Sequence, residues 1–383
     1  MRTEKDISGC GIIGIMNENG YVFSGEDVVV GICTMTERGN GLGSGFAGYG
    51  IYPEFKDCWC FHLMYHNQEA KQETEHYLKD RFRVTHHEPI PTKKTKTLRP
   101  PIPSLYRYFL TITDESGNGG SQEQDMILDC VMGINRHIEG AFVFSSGKNM
   151  GVFKGVGNPH EIAEFYQIPT YKGYLWTAHN RFPTNSPGWW GGAHPFGILD
   201  WSVVHNGEIS SYGINRRYLE NSGYYCCLST DTEVMAYLLD LLFRRHCLPF
   251  EIIGKILASP FWSQIERCED QEEKALLRSL RIIYGSALVN GPFSMVAATS
   301  RYMVGFNDRV KLRPLVAARN GNTLYLASEE SAIRAACRGL DTVWMPKAGE
   351  PVVGRLGHGE AQEDTGIFSR EGQRDMHQLS SVL

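Results

Sequence analysis

The sequence predicts an α+β protein built in layers, on three observations. Hairpin signals recur, at Ser146-Gly147-Lys148-Asn149 and at Asn320-Gly321. Helical patterns come in groups, whereas a doubly wound parallel sheet needs them to alternate with strands. Neither a GxGxxG nor a Walker-type loop is expected to interrupt the pattern, and no nucleotide cofactor is expected.

Taken in order, the first element is a short apolar strand over Cys10–Met16, followed by a turn at Asn19-Gly20. Ser24-Gly25-Glu26-Asp27 places a cap residue three positions ahead of an acid. It opens a helix through Val28, Ile32 and Met35 that stops at Gly39. Beyond a Gly-rich passage, strands are predicted over Gly48–Tyr52 and Cys58–Tyr65, and an amphipathic, solvated helix over 68–82. Residues 86–103 carry five prolines and four basic side chains and read as an exposed loop, or as a docking arm for an acidic partner. A helix over 121–139 leads to a hairpin of Ala141–Ser145 with Met150–Lys154. Strands follow at Gly173–His179 and Asp200–His205, then helices over 211–221, 231–245, 249–257 and 270–284. The last elements are Phe293–Thr299 with Tyr302–Phe306, a type I′ hairpin of Leu315–Arg319 with Thr323–Ala327, a helix from Ser328 and strands near 342–355. Residues 356–383 are a polar tail.

Composition narrows the function classes. Of 383 residues, 42% are hydrophobic and 21% charged, which is ordinary globular usage. Lys+Arg of 38 against Asp+Glu of 43 leaves −5, so nothing supplies the basic face that nucleic acid requires. No apolar run is long enough to span a bilayer, and Met1–Gly9 lacks the apolar stretch of a secretory signal. Ten cysteines without export argue for reduced thiols and a cytoplasmic location. Cys58, Cys60, His62 and His66 raise the thought of a metal. No CxxC pair occurs, however, and strand alternation spreads that cluster along a face, so no metal is expected.

Four segments hold the residues suited to chemistry: Gly9-Cys10-Gly11, Thr177 to Thr184, His205-Asn206-Gly207-Glu208 and Thr230-Asp231-Thr232-Glu233. A thiol needs a base to take its proton. If the nine-residue leader were removed, the α-amine of Cys10 would be that base, with an ordinary pKa near ~7.7–8.0. Asn206 and the Gly207 N–H suit a developing oxyanion, Arg181 suits a carboxylate and Asp231 suits an ammonium. Together they describe a site that hydrolyses the side-chain amide of a free amino acid, and glutamine fits best. Singly, each is bland: a core thiol, a turn, a surface arginine, a helix N-cap. Their joint presence carries the reading. A Cys–His dyad using His179 or His205 is the rival arrangement.

With these residues in view, the chain resembles the class II glutamine amidotransferases. The resemblance rests on Arg181-Phe182-Pro183-Thr184, Ala193-His194-Pro195-Phe196, His205 to Ile209 and Thr230 to Glu233. Gly291-Pro292-Phe293, Leu312 to Leu315 and Ala327 to Glu330 extend it. It implies a four-layer αββα sandwich of the N-terminal-nucleophile hydrolase type over 10–355, with an insertion at about 67–139. By resemblance Cys10 is the nucleophile, Asn206 and Gly207 form the oxyanion hole, and Arg181 with Thr184 holds the substrate carboxylate. Asp231 binds the amine and His194 supports the pocket. Arg38 matches an active-site Arg-Gly pair, although Glu37 stands where the family often has histidine.

The stretch from Trp189 looks most like the stand-alone amidotransferase subunit of archaeal-type glutamate synthases. That likeness implies a propeptide, residues 1–9, cut between Gly9 and Cys10. It also implies ammonia delivery to a separate FMN and iron–sulfur synthase subunit with a glycine-repeat subunit, no cofactor being held by this chain. Two other expectations are kept: an N-methylglutamate synthase-like acceptor, or a non-catalytic scaffold subunit that binds glutamine.

Overall fold

The computed structural model describes residues 9–95, 97–98, 100–112, 120–182 and 188–357. Two large antiparallel sheets form its centre. A seven-stranded sheet runs Thr342–Trp344, Val316–Asn320, Thr323–Ala327, Gly11–Asn17, Leu175–Asn180, Ser44–Tyr49, Met150–Gly155. A five-stranded sheet runs Phe196–Ile198, Trp201–Gly207, Phe293–Ala298, Tyr302–Asn307, Val352–Arg355.

Strand alternation explains why both sheets are buried on two faces. Along Phe293–Ala298, Met295 and Ala297 join the core under the helices, while Val296 and Ala298 join the core between the sheets. The approach is close: a β-carbon on Gly14 would lie 2.8 Å from both Met303 Sδ and Val296 Cγ1 of the opposite sheet. Helices Glu26–Cys33, Pro159–Phe165 and Glu330–Ala336 cover the outer side of the seven-stranded sheet. Asp231–Leu239 covers the five-stranded one, continued by a π-helical Asp240–Arg245. The result is α+β, layered helix–sheet–sheet–helix, as the sequence and the resemblance predict.

Phe82–Pro89, Ser104–Ile112, Trp59–Tyr65 and Ala141–Ser145 form a further four-stranded sheet, backed by helices Gln68–Lys79 and Gly120–His137. Asn67 caps the first of these helices by accepting from the Ala70 N–H. Cys58 and Cys60 are buried, and both ring nitrogens of His62 are taken, by the Tyr52 hydroxyl and the Val152 carbonyl. Among the described residues no group of three or more His, Cys, Asp or Glu is placed to hold a metal, and no helix is long and apolar enough to cross a membrane.

Several local expectations are corrected. The helix begun at Glu26 ends at Cys33, and Thr36–Arg38 is a separate 3₁₀ turn. Ser24 makes no reciprocal capping box; its hydroxyl accepts only from Glu26 N. Residues 86–89 are strand, and Ile90 and Leu98 are buried, so the stretch 86–103 is not an exposed loop throughout. Ala141–Ser145 and Met150–Gly155 meet at a turn yet belong to different sheets, so they form no hairpin. The Asn320 hairpin turns on Gly321-Asn322 with positive φ at Gly321 alone, which excludes type I′. Gly43-Ser-Gly-Phe-Ala-Gly48 carries a GxGxxG spacing, which corrects the expectation that the chain has none. It lies in the Ser44–Tyr49 strand and opens no helix, so it is not a dinucleotide loop.

Candidate active site

Strand register brings the candidate residues together. Gly11 pairs with Asn180, which sets Cys10 opposite Arg181 at the strand ends. Ile13 pairs with Ala327, and the next residue, Ser328, closes that end: its hydroxyl accepts from Ile12 N at 3.3 Å. From the facing sheet, Asn206 and Gly207 end the Trp201–Gly207 strand opposite Ser294 and Phe293.

Cys10 is held by backbone. Its Sγ accepts from Phe182 N at 3.3 Å and lies 3.8 Å from Phe182 O, and Arg38 Nε donates to its carbonyl at 3.2 Å. Burial pushes the thiol up, against the Phe182 N–H and the Arg181 guanidinium, so the free thiol needs a base to ionise it. Among the described residues no histidine hydrogen-bonds Sγ. His179 Nε2 is engaged with the His205 carbonyl at 2.9 Å and His205 Nδ1 with Thr232, so the geometry gives the Cys–His dyad nothing.

Asn206 is fully buried; its Nδ2 reaches Ser328 Oγ at 3.5 Å and its Oδ1 has no partner. Gly207 has φ +149°, and a β-carbon there would overlap the Pro292 carbonyl, so only glycine lets the strand end here. Asp231 is not the cap of its helix. Thr230 is, accepting from Glu233 N, and this frees the Asp231 carboxylate to face the site. Its oxygens accept from Ile209 N at 3.2 Å and from the Thr232 hydroxyl at 3.3 Å, and lie 3.7 Å from His205 Nδ1. Burial pushes that carboxyl up, but His205, the Ile209 N–H and Thr232 outweigh it and hold it below the ordinary value. It is therefore an anion at neutral pH, half-buried and still open to solvent on one side.

Arg181 is buried, and glycines flank it. A β-carbon on Gly43 would stand 3.1 Å from its Cδ, and one on Gly192 would stand 3.3 Å from its Nη1. Arg38 pairs with Glu329 at 2.6 Å and stands behind the Cys10 backbone rather than at Sγ. Thr184 lies outside the described residues. His194 stacks on His179 at 3.9 Å between centroids and bonds Thr232 Oγ1 at 2.6 Å. It thus sits beneath Asp231's helix start. Burial keeps His179 neutral, with its pKa lowered to about 3, and holds His194 well below its ordinary value.

Sequence reasoning missed Thr232, Ser328, Lys154 and Glu233 as parts of the site. Thr232, Glu233 and Ser328 sit inside motifs already singled out, the first two at a helix start and the third just past a strand end, and that placement was the available signal. Lys154 is fully buried, donates to Gly191 O at 2.9 Å and lies over the Phe196 ring. Burial lowers its pKa to about 7 and raises that of Glu233, which accepts from Cys227 and Leu228 N–H, to about 7. Nothing in the pattern around Lys154 marks it as buried.

The arrangement joins a half-buried thiol, a strand-end carboxamide and glycine, a buried guanidinium and a half-buried carboxylate. That set suits acyl transfer from an amide bearing its own carboxylate and ammonium. Comparison with known proteins agrees. The family model for class II glutamine amidotransferases matches residues 128–338, more than half of the chain. An uncharacterized protein of Archaeoglobus fulgidus is 50% identical over 92% of this chain and 94% of its own length. A putative glutamine amidotransferase of Methanothermobacter thermautotrophicus is 29% identical over 85% of this chain and 93% of its own. The solved glutamine phosphoribosylpyrophosphate amidotransferase of B. subtilis aligns with a TM-score of 0.44 and 16% identity, over 91% of this chain and half of that one. The chain belongs to the class II glutamine amidotransferases.

Proposed function

We propose that this chain is the glutaminase subunit of a glutamate synthase-like complex, converting L-glutamine to L-glutamate and ammonia. The observation that carries the reading is the convergence of Cys10, Arg181, Asn206 and Gly207 at strand ends of two facing sheets, with Asp231 at the start of the helix that covers one of them. Cleavage after Gly9 frees the α-amine of Cys10, which takes the thiol proton as Sγ adds to the substrate amide carbon. Half a turn of the Asn206 carboxamide presents Nδ2 to the oxyanion and gives Oδ1 the Ser328 hydroxyl as donor; Gly207 N–H is the second donor. Ammonia leaves with the returned proton, and water hydrolyses the γ-glutamyl thioester. Arg181, with Thr184, receives the α-carboxylate; Asp231 receives the α-ammonium, its helix start braced by His194. Arg38 holds the nucleophile's backbone. The ammonia passes to a synthase subunit carrying FMN and iron–sulfur clusters, with a glycine-repeat subunit, in the cytoplasm.

A glutaminase assay on the purified chain, alone and with co-purified partner subunits, tests this. Glutamate release that rises with a flavoprotein partner is expected. Release that couples to methylamine as acceptor would move the assignment to an N-methylglutamate synthase-like system, and glutamine binding without turnover would leave a scaffold subunit.

A further inference from the structure

Gly9 lies within the same pocket as the nucleophile. A β-carbon on it would stand 3.2 Å from Arg313 Nη1, 3.5 Å from Asn206 Oδ1 and 3.8 Å from Arg38 Nη2. Two guanidinium groups therefore flank the Gly9–Cys10 bond. They are not equivalent. Arg38 is committed, with Nη1 on Glu329 and Nε on the Cys10 carbonyl. Arg313 has no acidic partner among the described residues, and its Nε is buried without a hydrogen bond. A buried donor in that condition is costly to leave unpaired, and such donors gather where a ligand or a transient charge supplies the partner. Asn206 turns Oδ1, an acceptor, toward Gly9, so as placed the guanidinium of Arg313 is the nearer donor.

We propose that Arg313 is a catalytic residue of self-cleavage, stabilising the negative charge that develops on the Gly9 carbonyl oxygen. The inference rests on the reading of Cys10 as a nucleophile freed by removal of residues 1–9. Cys10 Sγ adds to the Gly9 carbonyl carbon, the Gly9–Cys10 C–N bond breaks, and the thiol proton passes to the Cys10 nitrogen. The resulting Gly9 thioester is hydrolysed by water, leaving the leader as a carboxylate and Cys10 with a free amine and thiol. The crowding explains the residue before the cut: a side chain at position 9 pushes on Arg313 first.

The test follows leader release by intact mass after rapid purification, in the parent, Arg313→Ala, Arg313→Lys and Cys10→Ala chains, with thermal melting of each as a folding control. Removing one donor to an oxyanion costs roughly 10²-fold in rate. Arg313→Ala is expected to release residues 1–9 about 10²-fold more slowly at unchanged melting temperature, Arg313→Lys in between. Added guanidinium ion at sub-denaturing concentration should restore part of the Arg313→Ala rate, which a structural role would not permit. Release by Arg313→Ala at the parent rate, or slow release that guanidinium leaves unchanged, overturns the proposal while glutaminase activity of the parent still stands. A parent that loses its leader and hydrolyses no glutamine overturns the glutaminase reading alone; a parent that keeps Gly9 overturns both.

Discussion

The site end of the sandwich and the four-stranded sheet treat buried polar groups in opposite ways. In and around the four-stranded sheet every described polar side chain that is buried has a partner. Thr74 donates to Ala70 O, Asn135 bonds Val143 through both ends of its amide, and His62 uses both nitrogens. Around the site the pattern reverses. Thr177 Oγ1, His179 Nδ1, His194 Nδ1, His205 Nε2, Asn206 Oδ1, Ser294 Oγ and Arg313 Nε are buried with no partner. Each such atom costs about 1–3 kcal/mol. A fold tolerates that cost where substrate, water or a reaction intermediate completes the bonds, so the polar surplus marks the chemistry and the saturated sheet marks the scaffold.

The largest expected effect breaks function while sparing the fold. Cys10→Ala should lower glutaminase activity by on the order of 10⁴-fold or more, with an unchanged melting temperature; retained activity would sever the site from the reaction. Asp231→Asn removes the charged acceptor and should raise KM for glutamine by roughly 10–100-fold, the equivalent of about 1.5–3 kcal/mol. Steady-state kinetics showing a fall in kcat at unchanged KM would take Asp231 off the substrate amine.

A pH series sharpens the contrast within the scaffold. Burial lowers the His62 pKa to about 3, so the folded state keeps it neutral while the unfolded chain binds a proton below about 6.5. Stability is therefore complete above that pH and is lost as pH falls, at up to ~1.4 kcal/mol per unit. Urea midpoints for His62→Gln should fall less steeply between pH 6.5 and 4 than those of the parent; parallel slopes would mean that His62 is not held neutral. The smallest effect is a matched pair. Thr74→Val, which breaks a satisfied bond, should lose about 1 kcal/mol, whereas Thr177→Val, which removes an orphan hydroxyl, should lose nothing or gain. Equal losses would erase the distinction between the two regions.

Much of this was legible in the sequence because short-range signals set it. The helices at 68–79, 231–239 and 271–283 follow from cap residues and apolar spacing, and the site residues follow from polar motifs at predicted strand ends. What escaped was long-range. The turn after Ser145 has hairpin chemistry, but which sheet each strand joins is decided by packing partners far along the chain. Phe82–Pro89 ends in a proline-rich stretch and still forms strand, because pairing with Ser104–Ile112 outweighs its local composition. Asp231 read alone as a cap, since only the structure reveals that Thr230 takes that position. Lys154 and Arg313 carry ordinary charged-residue signals, and their burial is a tertiary fact.

The central claim is that Cys10 becomes an N-terminal nucleophile aimed at glutamine. Peptide mass mapping after exposure to an electrophilic glutamine analogue tests it most directly. The account predicts one adduct, on the peptide that begins at Cys10, blocked by excess glutamine. An adduct on any other cysteine, or on a peptide still carrying Gly9, would contradict it.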